Sequence, residues 1–138
     1  MPVAFQLLIY PMIDGRNTAP ASDTTLDTLF WTREGHLTGW RSYLNREPGG
    51  EEVSPYAAVA CAEDLAGLPP AYIAVGALDL FLHEDIAYAQ RLVEAGVPTE
   101  LHVYPGAYHG FDVYPPTAAV ARRFVADRDA ALIRALHE

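Results

Sequence analysis

The sequence has a single cysteine, Cys61, in 138 residues. That excludes an internal disulfide framework and any metal site built from several thiolates. Basic residues are scarce: 9 Lys+Arg stand against 18 Asp+Glu, a formal charge of −9. Nucleic acid and anionic membrane surfaces select basic patches, so neither is an expected partner. No apolar run approaches the ~18 residues of a membrane span. No basic stretch precedes the apolar run near the N-terminus, so no secretory signal is read there. A cytoplasmic protein is the expectation. Internal repeats and low-complexity tracts are also missing.

What is present is apolar. Hydrophobic residues make up 51% and charged residues 20%, the balance of a globular chain rather than a disordered one. The length suits one domain over residues 1–138, able to bury roughly 70% of its unfolded surface. Three short runs have strand length and strand composition, and a breaker follows each. They are residues 5–10 (before Pro11), 71–75 (before Gly76) and 99–104 (before Pro105). The first two are nearly continuous in apolar residues, as in parallel sheets covered on both faces.

Helical patterns lie between and after them. Leu82, Ile86, Ala89 and Val93 share one helical face, and Gly96 and Pro98 then stop the helix. A last helix follows Pro115-Pro116, with a stripe of Ala121, Val125, Leu132 and Leu136 that Arg128 interrupts. A further helix is expected from about Arg33 to Leu44, with Thr32 as N-cap and Leu37, Trp40 and Leu44 on its apolar face. A short helix fits Ala62 to Leu65. Residues 12–53, with polar stretches at 14–22 and 45–54, form an excursion from the layered core. Residues 71–138 form a βαβ unit with a trailing helix, whose right-handed crossover makes the strands parallel. The expected fold class is therefore α/β, with about three parallel strands and flanking helices. An edge strand as apolar as 5–10 is a pairing hazard, so that edge is covered by something or the sheet is part of a larger one.

Sites in open α/β sheets form beyond the carboxyl ends of the strands. The second strand runs into Gly76-Ala77-Leu78-Asp79, the third into Tyr104-Pro105-Gly106-Ala107-Tyr108-His109-Gly110-Phe111. In neighbouring strands, about 4.8 Å apart, these loops emerge side by side and Asp79 can bond His109. A carboxylate on Nδ1–H fixes the imidazole tautomer and leaves Nε2 free as a base. Taken singly, Asp79 also suits a turn or helix cap, and His109 a polar loop histidine. Their shared edge favours the pair. His83, Glu84 and Asp85 beside Asp79 match no zinc or calcium spacing, and acidic residues suit a helix's first turn. No metal and no cofactor are expected. His102 alternates with Leu101 and Val103 and reads as surface or interface. Cys61, among alanines and valine, reads as an inert buried thiol.

The segments Tyr10-Pro11-Met12-Ile13-Asp14, Ser54-Pro55-Tyr56, Leu68 through Asp79, Ala95-Gly96-Val97-Pro98 and Tyr104 through Phe111 together resemble the hormone-sensitive-lipase-like carboxylesterases, which have the α/β-hydrolase fold. The match runs in order along essentially the whole chain. The resemblance implies that Asp79 and His109 are the catalytic acid and histidine. It places the three strands sixth to eighth in the hydrolase sheet, and residues 12–53 in part of a cap over the acyl pocket. Trp31, Leu37, Trp40 and Tyr108 are the expected pocket contacts.

The departures are as informative. The family's nucleophile sits in Gly-x-Ser-x-Gly, and none of Ser22, Ser42 and Ser54 has that context. No His-Gly-Gly-Gly loop is present, and Ala77 and His83 stand where acidic residues are common. The expectation is a C-terminal portion of a serine carboxylesterase, without nucleophile or oxyanion loop and inactive alone. Its substrates once completed are carboxylic esters of short to medium acyl chain. The alternative is a non-catalytic assembly module. A homo-oligomer is expected, through strand 99–104 and the final helix or through strand 5–10.

Overall fold

The computed structural model describes residues 3–16, 30–49 and 53–137. Ser22 and most of the polar stretch 14–22 lie outside them. The sheet has the order β1 (Gln6–Ile9), β2 (Ala71–Gly76), β3 (Thr99–Tyr104), all parallel. Gln6 stands opposite Ala71 and Ala71 opposite Thr99, so the three strands start level. The helices are α1 (Arg33–Leu44), α2 (Leu82–Glu94) and α3 (Ala119–His137).

The central position of β2 explains its unbroken apolar run. All six of its residues are buried. Ala71 and Ile73 pack with Tyr88, Ala89 and Leu92 of α2, and with Leu65 and Val97. Tyr72 and Ala74 pack on the opposite face with Tyr104, Phe111 and, from α3, Phe124 and Ala131. The sheet is thus covered on both faces over β2, as a parallel sheet requires. The Tyr72 and Tyr104 hydroxyls meet at 3.2 Å, and that of Tyr104 donates to Asp127 at 2.9 Å, so neither buried phenol is orphaned.

Four local expectations need correction. The inward face of α2 is Asp85, Tyr88, Ala89 and Leu92, while Val93 is 60% exposed and Ile86 37%. A charged residue at the head of the true stripe hides it from a count of apolar positions. In α3 the buried residues are Ala121, Phe124 and Ala131, with Leu136 exposed. That row uses alanines for close approach and lays Arg128 over the Phe124 ring at 5.5 Å, and neither feature scores as hydrophobic. In α1 the buried residues are His36 and Trp40, and Leu37 and Leu44 are half-buried. The Thr32 cap holds, its Oγ1 accepting from the Gly35 amide at 3.0 Å. Residues 62–65 are not helical. A single 3-10 turn covers Val59–Cys61 instead. Its Ala60 carbonyl accepts from Arg91 at 2.7 Å and the Ala62 carbonyl accepts from the same guanidinium, so these acceptors are held by α2 rather than by a helix of their own.

No described helix is long and apolar enough to cross a membrane. The face of α2 can be checked directly. Leu92→Ala is expected to cost about 2–5 kcal/mol, and Val93→Ala less than about 0.5 kcal/mol. Urea unfolding of the two variants separates these values, and equal losses would restore the face read from the apolar pattern.

Candidate active site

Both expected residues sit on loops that leave the carboxyl ends of adjacent strands. Gly76 ends β2 opposite Tyr104, the end of β3. A Cβ on Gly76 would lie 2.4 Å from the Ala107 carbonyl oxygen, so only glycine admits the β3 loop here. That oxygen accepts from the Leu78 amide at 2.9 Å, and the Tyr104 carbonyl accepts from the Ala77 amide at 2.9 Å. The two loops are thereby stitched together just before each presents its functional residue.

Asp79 is 1% exposed. Its Oδ1 accepts from the Phe81 amide at 3.0 Å, and its Oδ2 lies 3.0 Å from His109 Nδ1. The side chain therefore does both things its position allowed. It closes a two-residue turn into α2 and it holds the histidine. A carboxylate offers only acceptors, so Nδ1 is the protonated nitrogen of the neutral ring. His109 is flanked by Tyr10 at 4.5 Å between ring centroids, Phe81 at 5.2 Å and Trp31 at 5.7 Å. It lines an open cleft of about 310 Å³ with Ile9, Pro11, Met12, Trp31 and Phe81. With Nδ1 bound to Asp79, Nε2 is the nitrogen left for that cleft. A base held in one tautomer beside an apolar, partly desolvated cleft can take a proton from a hydroxyl and stabilise the imidazolium that results.

The expected pocket residues part company. Trp31 lines the cleft. Trp40 is 1% exposed and belongs to a separate core with Val53 and Ala58, so it is no pocket wall. It was drawn inside by packing between α1 and the segment after it. Leu37 is half-buried and outside the cleft. Tyr108 stacks on Phe30 at 6.0 Å, and its hydroxyl donates to the Tyr114 carbonyl rather than facing the cleft. Ile9, Tyr10, Pro11, Met12 and Phe81 went unassigned. The signal for Tyr10-Pro11-Met12 was available, because they follow β1 at the same sheet edge. A larger cleft of about 460 Å³ lies at the opposite edge, around Phe5, Pro70, Pro98 and the Glu100–Arg134 ion pair, away from the acid and histidine.

His83, Glu84 and Asp85 do not converge, and among the described residues no cluster of three potential metal ligands forms. Glu84 accepts from the Ile13 and Asp14 amides at 2.8 and 3.2 Å, pinning the segment that carries Met12. His102 pairs with Glu100 at 2.7 Å. Cys61 is half-buried, and burial pushes its thiol pKa up, away from nucleophilic use.

The three-stranded parallel sheet with its flanking helices has the architecture of part of an α/β-hydrolase fold, with Asp79 and His109 meeting beyond its carboxyl edge. Over residues 1–113 the chain matches the family described as alpha/beta hydrolase fold. It is 34% identical over 113 residues to Esterase LipI of Mycobacterium tuberculosis (strain ATCC 25618 / H37Rv), which is 82% of this chain and 35% of that protein. It is 30% identical over 139 residues to Carboxylesterase NlhH of Mycobacterium tuberculosis (strain CDC 1551 / Oshkosh), covering 99% and 43%. Among solved structures, a bacterial heroin esterase superposes with a TM-score of 0.88 at 40% identity, covering all of this chain and 44% of that one. Esterase LipW from Mycobacterium marinum gives 0.84 at 36%, covering 99% and 42%. The chain belongs to the α/β-hydrolase fold family, in its hormone-sensitive-lipase-like branch. It spans less than half the length of these relatives.

Asp85 is the carboxylate of this region with no hydrogen-bond partner among the described residues. It is fully buried, and neither oxygen meets a donor among the described residues. Burial, then the charges of Glu84 and Asp79, pushes its pKa up to about 10. An unfolded aspartate titrates near 3.9, so between about pH 4 and 10 the unfolded chain has released a proton that the folded chain keeps. Stability therefore falls as pH rises through that window. Asp85→Asn is expected to raise Tm at about pH 8 by several degrees, on the order of 4 °C per kcal/mol, and to match the parent below about pH 4. Calorimetry across that range checks this, and a constant offset between the two curves would contradict it.

Proposed function

We propose that this chain supplies the acid and the base, Asp79 and His109, of a serine carboxylesterase whose nucleophile and oxyanion donors lie outside these 138 residues. The observation that carries it is the 3.0 Å contact between Asp79 Oδ2 and His109 Nδ1 beside an apolar cleft. In the completed site, His109 Nε2 takes the seryl proton as the oxygen attacks the ester carbonyl. Asp79 stabilises the imidazolium. The proton then goes to the leaving alcohol, and water hydrolyses the acyl-serine by the same relay. No metal enters these steps. The cleft's apolar walls of Ile9, Pro11, Met12, Trp31 and Phe81 suit the acyl part of an ester, in keeping with the esterase names of the relatives, and a short to medium chain is what the family resemblance implies. The cytoplasm is the compartment proposed, since a single cysteine leaves no internal disulfide suited to an oxidising one.

Intact-mass spectrometry after a fluorophosphonate probe tests this. The expected result is no adduct on Ser22, Ser42 or Ser54, and no p-nitrophenyl butyrate hydrolysis above imidazole background. Joined to the Gly-x-Ser-x-Gly portion of a relative, the chain is expected to gain esterase activity that Asp79→Asn lowers about 10⁴-fold. A stoichiometric adduct on the chain alone would overturn it.

A second reading, assembly with another copy of the chain, is favoured by a separate observation. β3 is an edge strand among the described residues, and Leu101 and Val103 on it are exposed beside Ile86 and Val93 of α2. Antiparallel pairing of two copies centred on Leu101 would set Glu100 against His102, a charge-complementary register. Leu132, Ile133 and Leu136 of α3 are exposed as well. Sedimentation equilibrium is expected to show a dimer that Leu101→Lys converts to monomer. A parent chain that stays monomeric at about 100 µM would dismiss this assembly.

A further inference from the structure

Four side chains from three parts of the chain surround His109. Asp79 takes Nδ1, Phe81 and Trp31 flank the ring, and Tyr10 reaches it from the end of β1. Tyr10 is unusual in its backbone. Its φ of 36° lies in the left-handed region that residues with a side chain rarely adopt. Its amide still donates to the Ala74 carbonyl at 2.6 Å, as a strand residue's would, so the turn is made at Tyr10 itself, immediately before Pro11. From this turn its ring meets His109 edge-on at 4.5 Å and 62°, and Phe111 at 6.3 Å and 65°. Its hydroxyl donates to Asp112 Oδ1 at 2.8 Å. One side chain thus touches residues 109, 111 and 112.

The loop that carries His109 is packed into the core by Phe111, against Tyr104 and Phe124, but few hydrogen bonds tie it to the rest of the chain. Ala107 is tied to Leu78, but beyond it the backbone bonds Phe111 to Tyr108 and Val113 to Gly110 are internal to the loop. Among the described residues, its side-chain hydrogen bonds to another element are His109 to Asp79 and Tyr10 to Asp112. Without the second, the imidazole keeps the Phe81 and Trp31 rings and the Asp79 bond, but the loop beyond it loses its side-chain hydrogen bond to the β1 side. Strained backbone persists where the surroundings over-determine it, and here two anchors, a ladder-like amide bond and a half-buried, hydrogen-bonded phenol, do so.

We propose that Tyr10 is a positioning residue for His109. Its hydroxyl pins the loop at Asp112, and its ring edge keeps the imidazole in the orientation that brings Nδ1 to Asp79. The assignment rests on reading Asp79 and His109 as an acid–base pair. Burial and then the bond to Asp112 hold the phenol pKa well above the ordinary tyrosine range, so the donor persists across working pH.

The test reads the tautomer of His109 by nitrogen-15 NMR of the histidine-labelled full chain. In the parent, the Nδ1–H form is expected to dominate. Tyr10→Phe and Asp112→Ala are each expected to shift the ring signals toward the Nε2–H form that free neutral histidine prefers, with at least a tenfold change in the tautomer ratio. Asp112→Asn keeps an acceptor for the phenol and is expected to restore the parental spectrum. A loss of packing alone would not be rescued by that amide. Asp79→Asn serves as the reference. If it changes the tautomer while Tyr10→Phe and Asp112→Ala do not, the positioning role is wrong and the acid–histidine pair stands. If Asp79→Asn changes nothing, the pair itself fails and the role of Tyr10 with it. Asp112 lies at the loop's rim, so its variants remain informative even where Tyr10→Phe folds poorly.

Discussion

The level pairing of β2 with β3, from Ala71 opposite Thr99 to Gly76 opposite Tyr104, is the constraint on which the reactive edge depends. Parallel strands that end together release their loops side by side. The chain then has to bring two loops into contact without a clash. Gly76 solves this by having no Cβ where the Ala107 carbonyl passes, and the Leu78 and Ala77 amides turn the approach into hydrogen bonds. Asp79 follows that joint by three residues and His109 follows Ala107 by two. Their separation is therefore fixed by short stretches of backbone that leave a common seam.

Three acids start or precede α2, all buried, and each is handled differently. Asp79 divides its oxygens between the Phe81 amide and the His109 ring. Glu84 gives one oxygen to two amides of the segment 12–15. Asp85 meets no donor among the described residues, and burial pushes its pKa up to about 10. A buried carboxylate with two good donors can remain an anion, whereas one without them takes up a proton. The difference sorts these acids by use. The first orients a base, the second anchors the wall of the cleft, and the third is a local cost to stability. Such costs collect near functional sites, where geometry is selected ahead of packing.

Much of this was legible in the sequence, and the failures have a common physical cause. The strands, their parallel order and the placing of Asp79 and His109 on one edge followed from apolar runs, breakers and loop position. The faces of α2 and α3 did not. Hydrophobic counting assumes that what points inward is large and apolar. Here the inward rows include Asp85 and, with its guanidinium over the Phe124 ring, Arg128, with alanines where helix and sheet approach closely. Trp40 misled in the opposite sense, because an aromatic in a cap-like segment was read as a ligand contact when it fills a core of its own. Tyr10 was visible as a strand residue before proline. Its positive φ was not, because nothing in Ile-Tyr-Pro marks a left-handed turn in a residue other than glycine or asparagine.

The same asymmetry bears on how a chain that spans under half of its relatives' length keeps a formed acid–histidine pair. The groups that orient His109 come from β1, from the loop after β2 and from the segment before α1, and all three lie within the described residues. The cleft's walls also include Ile9, which ends β1, and Tyr10, which follows it. β1 is the edge strand on that side, and its residues are only half-buried. An added strand pairing there would end beside His109 without disturbing Asp79. In catalysis of this type the orienting pair and the nucleophile–oxyanion unit make separable contributions. On the function proposed above, the two units meet along the edge of β1.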